Sequence, residues 1–442
     1  MKIYAPWEKA FKKISTPFES FLRAQTTSGL VLVCMTILAL ILANSSLQWA
    51  YNNFFHMNID FNVGSWEFSH SLHHWINDGL MGIFFLVIGL EIKREITIGE
   101  LSNMKVAILP ILAAIGGMVV PALIYMSINY GSEGFNGWGI PMATDIAFAI
   151  SALVLLGKRV PTALVTFLVA LAIVDDLGAV IVIALFYTDT INLFALGLAG
   201  LMFLTMFTFN RFGIHMILPY FIVASFMWFF MLESGVHATM TGVLAAFTIP
   251  STPKRTPATF VEDTKHLLEE YAKYPVRTNH VIDDKQKIIL TKIHDKINAV
   301  GTPADRLENT LHLPVALLII PFFALANAGI EIDINSIGSV LMEPVPLGIM
   351  AGLILGKLLG IFGVSWIAVK VGVAKLPKDS TMSQIFGVAF LGGIGFTMSI
   401  FVADLAFIGN SELIFQAKIG ILLASLFSGV FGYLWLKRTS SL

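Results

Sequence analysis

Apolar residues run through this chain in blocks of about twenty, separated by short polar breaks. A block of that length crosses a hydrocarbon core as a helix. Such blocks lie near residues 26–47, 73–92, 104–127, 138–156, 161–187, 192–210, 214–232, 235–250, 312–330, 346–369, 384–409 and 413–436. The pattern predicts an all-α integral membrane protein of about twelve transmembrane helices.

Two polar segments have patterns of their own. In residues 54–69, FFHMNIDFNVGSWEFS, the apolar positions Met57, Ile59, Phe61 and Val63 alternate before Gly64-Ser65 and resume at Trp66 and Phe68. Period two around a Gly-Ser turn predicts a small β-hairpin. A lone hairpin is marginal in water. This one is expected to pair with its twin in a homodimer or to lie on its own subunit. Residues 251–311 form a charged loop with ten basic and nine acidic residues. Ile289, Ile293, Ile297 and Val300 recur at near-helical spacing, as do Leu267, Leu268 and Tyr271. Two short amphipathic helices are predicted there, in a solvated elaboration without transport chemistry.

Positive charge settles the expected orientation. Lysines and arginines precede the first span (Lys2, Lys9, Lys12, Lys13, Arg23) and follow each even-numbered one, as at Lys93, Lys158, Arg211, Lys254, Lys370 and Lys437. The alternate loops 48–72, 128–137, 188–191 and 331–345 carry none. By the positive-inside rule both termini are cytoplasmic and the hairpin is extracytoplasmic. Residues 1–25 then form a cytoplasmic N-terminal segment ahead of a membrane domain at 26–437. That segment is too long and too mixed for a cleaved signal peptide. Lys418, at the outer start of the twelfth span, is expected to snorkel. Lys357 is not, because it lies deep in the tenth.

Composition narrows the class further. Charged residues are 13% of the 442 residues and hydrophobic ones 56%, whereas a soluble chain carries about 25% charged residues. A net charge of −1 leaves no basic footprint for nucleic acid. The single cysteine, Cys34, excludes an internal disulfide.

The informative residues are the acids inside the apolar blocks. Asp175 and Asp176 are adjacent within LVALAIVDDLGAVIVIALF, residues 168–186. With Asp145 in the fourth span and Lys357 in the tenth, they cost roughly 10 kcal/mol of insertion energy if each is taken alone. Helix glue has no need of two adjacent acids, so a path for cations or protons is the stronger reading. Asp78 in the second span is a further intramembrane acid. Neighbouring helix positions point about 100° apart, so one member of the pair can face an ion cavity while the other faces Lys357. A carboxylate that holds either a proton or a hard monovalent cation is the chemical core of an exchanger. No thiolate or imidazole cluster is present for softer metals, and no cofactor is called for.

Two interruptions support transport. Pro141, Ala143 and Thr144 precede Asp145, and Gly392-Gly393-Ile394-Gly395 breaks the eleventh span. Broken helices in corresponding halves mark the site of an inverted-repeat carrier. An intramembrane aspartyl protease also uses paired acids, but it wants Gly-x-Gly-Asp, whereas Asp145 follows Ala-Thr and Asp175 follows Ile-Val. A channel or sensor on the same scaffold has no need of Lys357.

At this point the chain resembles a known family. WINDGLMGIFFLVIGLEIKRE (75–95), AAIGGMVVPALIY (113–125), ATDIAFAI (143–150), VALAIVDDLGAVIVIALFYT (169–188), SGVHATMTGV (234–243), PFFALANAG (321–329), LILGKLLGIF (353–362) and GGIGFTMSIFVADLAF (392–407) closely resemble the NhaA-type sodium/proton antiporters of bacteria. The resemblance runs from about residue 25 to 437, apart from the insertion.

It implies a bacterial inner-membrane transporter, not an enzyme. The fourth and eleventh spans would be discontinuous helices that cross near the midplane. Sodium or lithium would leave in exchange for more protons than cations, making transport electrogenic. By motif, Asp176 is the principal cation and proton carboxylate and Asp175 its partner. Asp145 and Thr144 lie at the crossing, and Lys357 compensates the acids. Glu91, Arg94 and Glu95, with Glu308 and His312, match the cytoplasmic entrance used for pH control, and His237 matches another pH-linked position. Asn309 replaces a histidine common in the best-known member, and the preceding loop is far longer. Asp404 has no assigned role.

Overall fold

The computed structural model describes residues 25–63, 66–188, 191–254, 257–274, 283–332 and 337–440. The N-terminal segment 1–24, the hairpin turn Gly64-Ser65 and loop residues 275–282 lie outside them. Each of the twelve apolar blocks has a helical counterpart. Among the described residues, eight helices are long and apolar enough to cross a membrane, or up to ten if each bent pair is one span. The seventh block is a shorter apolar helix, Ile217–Glu233, and the eighth is only Met240–Thr248. Turns at 234–239, in SGVHAT, use up the start of that block.

The first span, Gln25–Ala43, bends by 113° into a helix at Gln48–His56, where the sequence pattern predicts loop. The hairpin therefore starts later than predicted. Strand β1, Asn58–Val63, pairs antiparallel with β2, Trp66–Ser71, in the register Asn58↔Ser71 to Val63↔Trp66. Phe54 to His56 belong to the preceding helix. Where β2 ends, the Ser71 hydroxyl caps the second span, Leu72–Thr97. His70 stacks on His74 with centroids 4.2 Å apart.

Further spans are the third (Met104–Ile128), fifth (Thr162–Phe186), ninth (Pro303–Asn327), tenth (Pro344–Lys370) and twelfth (Ser411–Thr439). The third and tenth touch backbone to backbone. A Cβ on Gly360 would collide with the Gly116 carbonyl, and one on Gly116 with that of Gly360. In a membrane, where lipid is as apolar as leucine, such small-residue contacts bring helices together. The tenth span is π-helical at Gly352–Gly356 and Leu358–Gly363, on either side of Lys357. Single π turns of this kind recur at functional sites.

The sixth span, Leu193–Arg211, and the seventh stand apart. They bury Ala199, Met206, Tyr220 and Met227 in a smaller cluster, while Phe194, Leu204, Phe207 and Phe226 stay exposed. A helix apolar on all sides suits hydrocarbon contact. Lys93 on the second span reaches across to close the eighth. Its Nζ donates to the carbonyls of Phe247 (2.9 Å) and Ile249, groups that a helix end leaves unpaired.

The ninth span begins at Pro303, capped by Thr302, nine residues earlier than its hydropathy indicated. Asp305, Arg306 and Glu308 occupy its first turns and depress the apolar signal there. Glu308 is therefore a buried residue of a span, not part of a loop. The remaining insertion forms two helices, Pro257–Ala272 and Asp284–Val300. They meet through buried Leu267 and Ile289 and a Lys296–Asp263 ion pair at 2.6 Å. Its ends meet too: the Ala304 amide donates to the Pro250 carbonyl at 3.2 Å.

Candidate functional site

The fourth span is a 3-10 helix at Glu133–Met142, an extended stretch at 143–145, and an α-helix at Ile146–Val154. The eleventh is Met382–Leu391 and Phe396–Ala406, bent by 47° at the glycines. The two breaks touch: the Asp145 amide donates to the Ile394 carbonyl at 2.6 Å.

Asp145 serves both helices that start at this crossing. Its Oδ1 accepts from the Phe148 amide at 3.1 Å, and its Oδ2 from the amide (3.1 Å) and hydroxyl of Thr397. Two helix N-termini, each carrying about half a positive charge, thus share one carboxylate. Ser425 of the twelfth span accepts from the Phe396 amide at 3.1 Å. Sequence reading missed Thr397 and Ser425. A threonine two residues after the glycine run was the available signal for the first.

The opposite helix ends leave carbonyls, and the cation lies there. Lys357 is fully buried. Its Nζ donates to Asp175 Oδ2 at 2.6 Å and to Thr144 Oγ1 at 2.9 Å. The Thr144 hydroxyl lies 2.6 Å from Asp175 Oδ2 and 2.9 Å from the Gly392 carbonyl. It has one proton and so satisfies one of these acceptors at a time. Thr144 therefore links the lysine, the carboxylate and the broken eleventh span.

Asp176, one residue on, has none of these partners. It lines a cleft of about 470 Å³ whose wall also includes Asp145, Thr397, Glu91, Arg94 and Glu308. Asp176 Oδ2 and Asp175 Oδ1 are buried without a hydrogen-bond partner among the described residues. Buried acceptors of that kind are costly unless a proton or cation joins them. At the mouth of the cleft, Arg94 pairs with Glu308 and lies 3.4 Å from Glu95 and 4.0 Å from Glu91. His312 and Asn309 line the same mouth.

A family model, Na+/H+ antiporter 1, matches residues 19–436. The chain belongs to that family. It is 65% identical to the Na(+)/H(+) antiporter NhaA of Sulfurimonas denitrificans, over 99% of this chain and 98% of that one. It is 49% identical to the Na(+)/H(+) antiporter NhaA 1 of Saccharophagus degradans (98% and 93%) and 46% to the NhaA of Dichelobacter nodosus (98% and 93%).

The protein is thus a multi-pass membrane Na+/H+ antiporter. Two of the residues singled out from the sequence lie away from the antiporter's cleft. Asp78 is at the hairpin end of the second span, 3.2 Å from His74 Nδ1. His237 is also off the cleft, its Nε2 2.8 Å from the Tyr187 carbonyl oxygen. Lys418 does not simply reach for water, as the sequence suggested. It pairs with Asp404 at 3.3 Å.

Proposed function

We propose that this antiporter exchanges sodium or lithium for protons at Asp176, with Asp175, Asp145 and Thr144 shaping the site and Lys357 balancing its charge. The observation that carries this reading is a buried Asp176 oxygen without a hydrogen-bond partner among the described residues, in a cleft that also reaches Asp145. A proton and a hard cation compete for that oxygen, so binding one expels the other. The Asp175–Lys357 pair can take up protons as well. The site can therefore release more protons than the one cation it binds, which makes exchange electrogenic.

The ion cluster of Arg94 with Glu308, Glu95 and Glu91 supports pH control at the cleft mouth. Protonating one carboxylate there redistributes the arginine among the others. Asp78 and His237 form a separate pH-response candidate at the hairpin end. We place the protein in a bacterial inner membrane with both termini cytoplasmic, from the distribution of lysines and arginines. The hairpin of β1 and β2 is the proposed homodimer contact. The reading calls for no cofactor.

Everted membrane vesicles carrying the protein test the reading. Adding sodium should collapse a preformed pH gradient, faster when a potassium–valinomycin shunt removes the opposing potential. No response to sodium or lithium at any pH from 6 to 9 would refute it.

A further inference from the structure

Three helices repeat one order of side chains from the crossing toward the hairpin. On the eleventh span, Thr397 lines the cleft, Phe401 follows, then Asp404. On the ninth the order is Ile320, Phe323, Asn327. The second runs the other way, so Ile88 lines the cleft, Phe85 lies three residues before it, and Asn77 and His73 come earlier. Spacings of three, four and seven residues keep the sets on the ninth and eleventh spans each on one helix face; on the second, a π-helical stretch at Trp75–Leu80 separates Phe85 from its polar residues.

The middle layer is closed. Phe85, Phe323 and Phe401 are buried to within 2% of full exclusion. Ring centroids lie 5.6 Å apart for Phe85–Phe401 and 6.2 Å for Phe323–Phe401. None of these three rings lines the cleft; they are packed one layer further toward the hairpin side on the same helices.

The layer beyond is polar. His73 Nε2 lies 2.8 Å from Asn327 Oδ1, and Asn327 Nδ2 donates to Asn77 Oδ1 at 2.9 Å. Asp404 stands about 10 Å along its helix from Thr397, by helix rise. Its Oδ1 meets Lys418 at 3.3 Å, with the two side chains 12% and 13% exposed. Its Oδ2 is buried without a hydrogen-bond partner among the described residues. An ion pair that only pinned the eleventh span to the twelfth has no use for a buried free carboxylate oxygen, which is costly to keep.

We propose that Asp404 is a second cation site on the release side of the aromatic layer, and that Lys418 occupies it while the layer is shut. The ligand is a hard monovalent cation such as sodium, held by carboxylate and amide oxygens. When Phe401 swings aside, the cation leaves Asp176 and meets Asp404 next. Lys418, on a long flexible stem, withdraws its ammonium to the adjacent water. The lysine returns when the cation departs, so the carboxylate is never left bare.

This proposal rests on sodium–proton exchange by the chain, and the test separates the two. Proteoliposomes of uniform orientation receive sodium from one face or the other, and proton flux is followed. Asp404→Asn should lower kcat/KM about tenfold from both faces, the loss on exchanging a charged ligand for a neutral one. The loss should appear in KM when sodium enters at the hairpin face, and in kcat when it enters at the cleft face. Asp404→Glu should restore both. If Asp404→Asn fails to fold, the double variant D404N/K418Q removes both charges and carries the same expectation. Unchanged kinetics, or an equal rise in KM from both faces, would overturn the proposal. Absence of exchange in the unaltered protein would instead overturn the reading of function.

Discussion

The two faces of the fifth span at its midpoint could hardly differ more, although they are presented by adjacent residues. Asp175 points into a closed hub where Lys357 and Thr144 both reach it. Asp176 lines an open cleft and, among the described residues, has neither Lys357 nor Thr144 as a partner, although each acid keeps one buried oxygen without a hydrogen-bond partner there. The first arrangement holds a charge in place. The second leaves a charge available. One sequence, Asp-Asp, yields both because a helix turns about 100° per residue and its neighbours are unlike on the two sides. The residue that fastens the site and the residue that exchanges ligand are therefore separable by substitution.

The largest effect should come from the open side. Asp176→Asn keeps the shape but removes the exchangeable proton, so sodium-dependent proton flux should disappear with the protein still folded. Wild-type flux at normal expression in that variant would dissolve the distinction between the two faces.

The closed side should fail differently. Lys357→Ala leaves Asp175 as a buried, unpaired charge, which costs about 3–5 kcal/mol where one partner of such a pair is removed. Thermal unfolding should show a clearly lower melting temperature together with lost activity, and Lys357→Arg should recover part of each. An unaltered melting temperature from pH 6 to 9 would mean that the hub is not what fastens the crossing.

Regions remote from both faces should matter less. Removing the hairpin strands at 58–71 is expected to weaken dimerisation, seen by light scattering, more than it weakens flux. A stable dimer after the deletion would put the contact elsewhere. The smallest effect is expected from the insertion. Its ends already meet where Ala304 bonds Pro250, so replacing residues 254–303 with a short flexible linker should retain flux and shift only its pH profile. Loss of all flux in a correctly inserted variant would make the insertion part of the machinery.

Much of this was legible in the sequence because membranes penalise buried charge so strongly. Asp145, Asp175, Asp176 and Lys357 stood out for that reason alone, and the glycine run at 392–395 marked the second break. Glu308 was displaced into a loop because charges in the first turns of the ninth span masked its helical start. The helix at Gln48–His56 was hidden by polar residues, Asn52, Asn53 and His56, that no hydropathy pattern distinguishes from loop. Ser425 was invisible for another reason. A lone hydroxyl in an apolar helix carries no signal until the fold shows which amide or carboxylate it meets. The pairing of Asp404 with Lys418 depends likewise on how the eleventh and twelfth spans fold back on each other.

The division of labour between the two acids is tested most directly by counting protons released on sodium binding. Calorimetry of the purified protein in buffers of different ionisation enthalpy gives that number at fixed pH. Sodium should expel protons from the unaltered protein and from Lys357→Arg, and none from Asp176→Asn. Undiminished proton release from Asp176→Asn would contradict it and move the exchanging carboxylate to the other side of the helix.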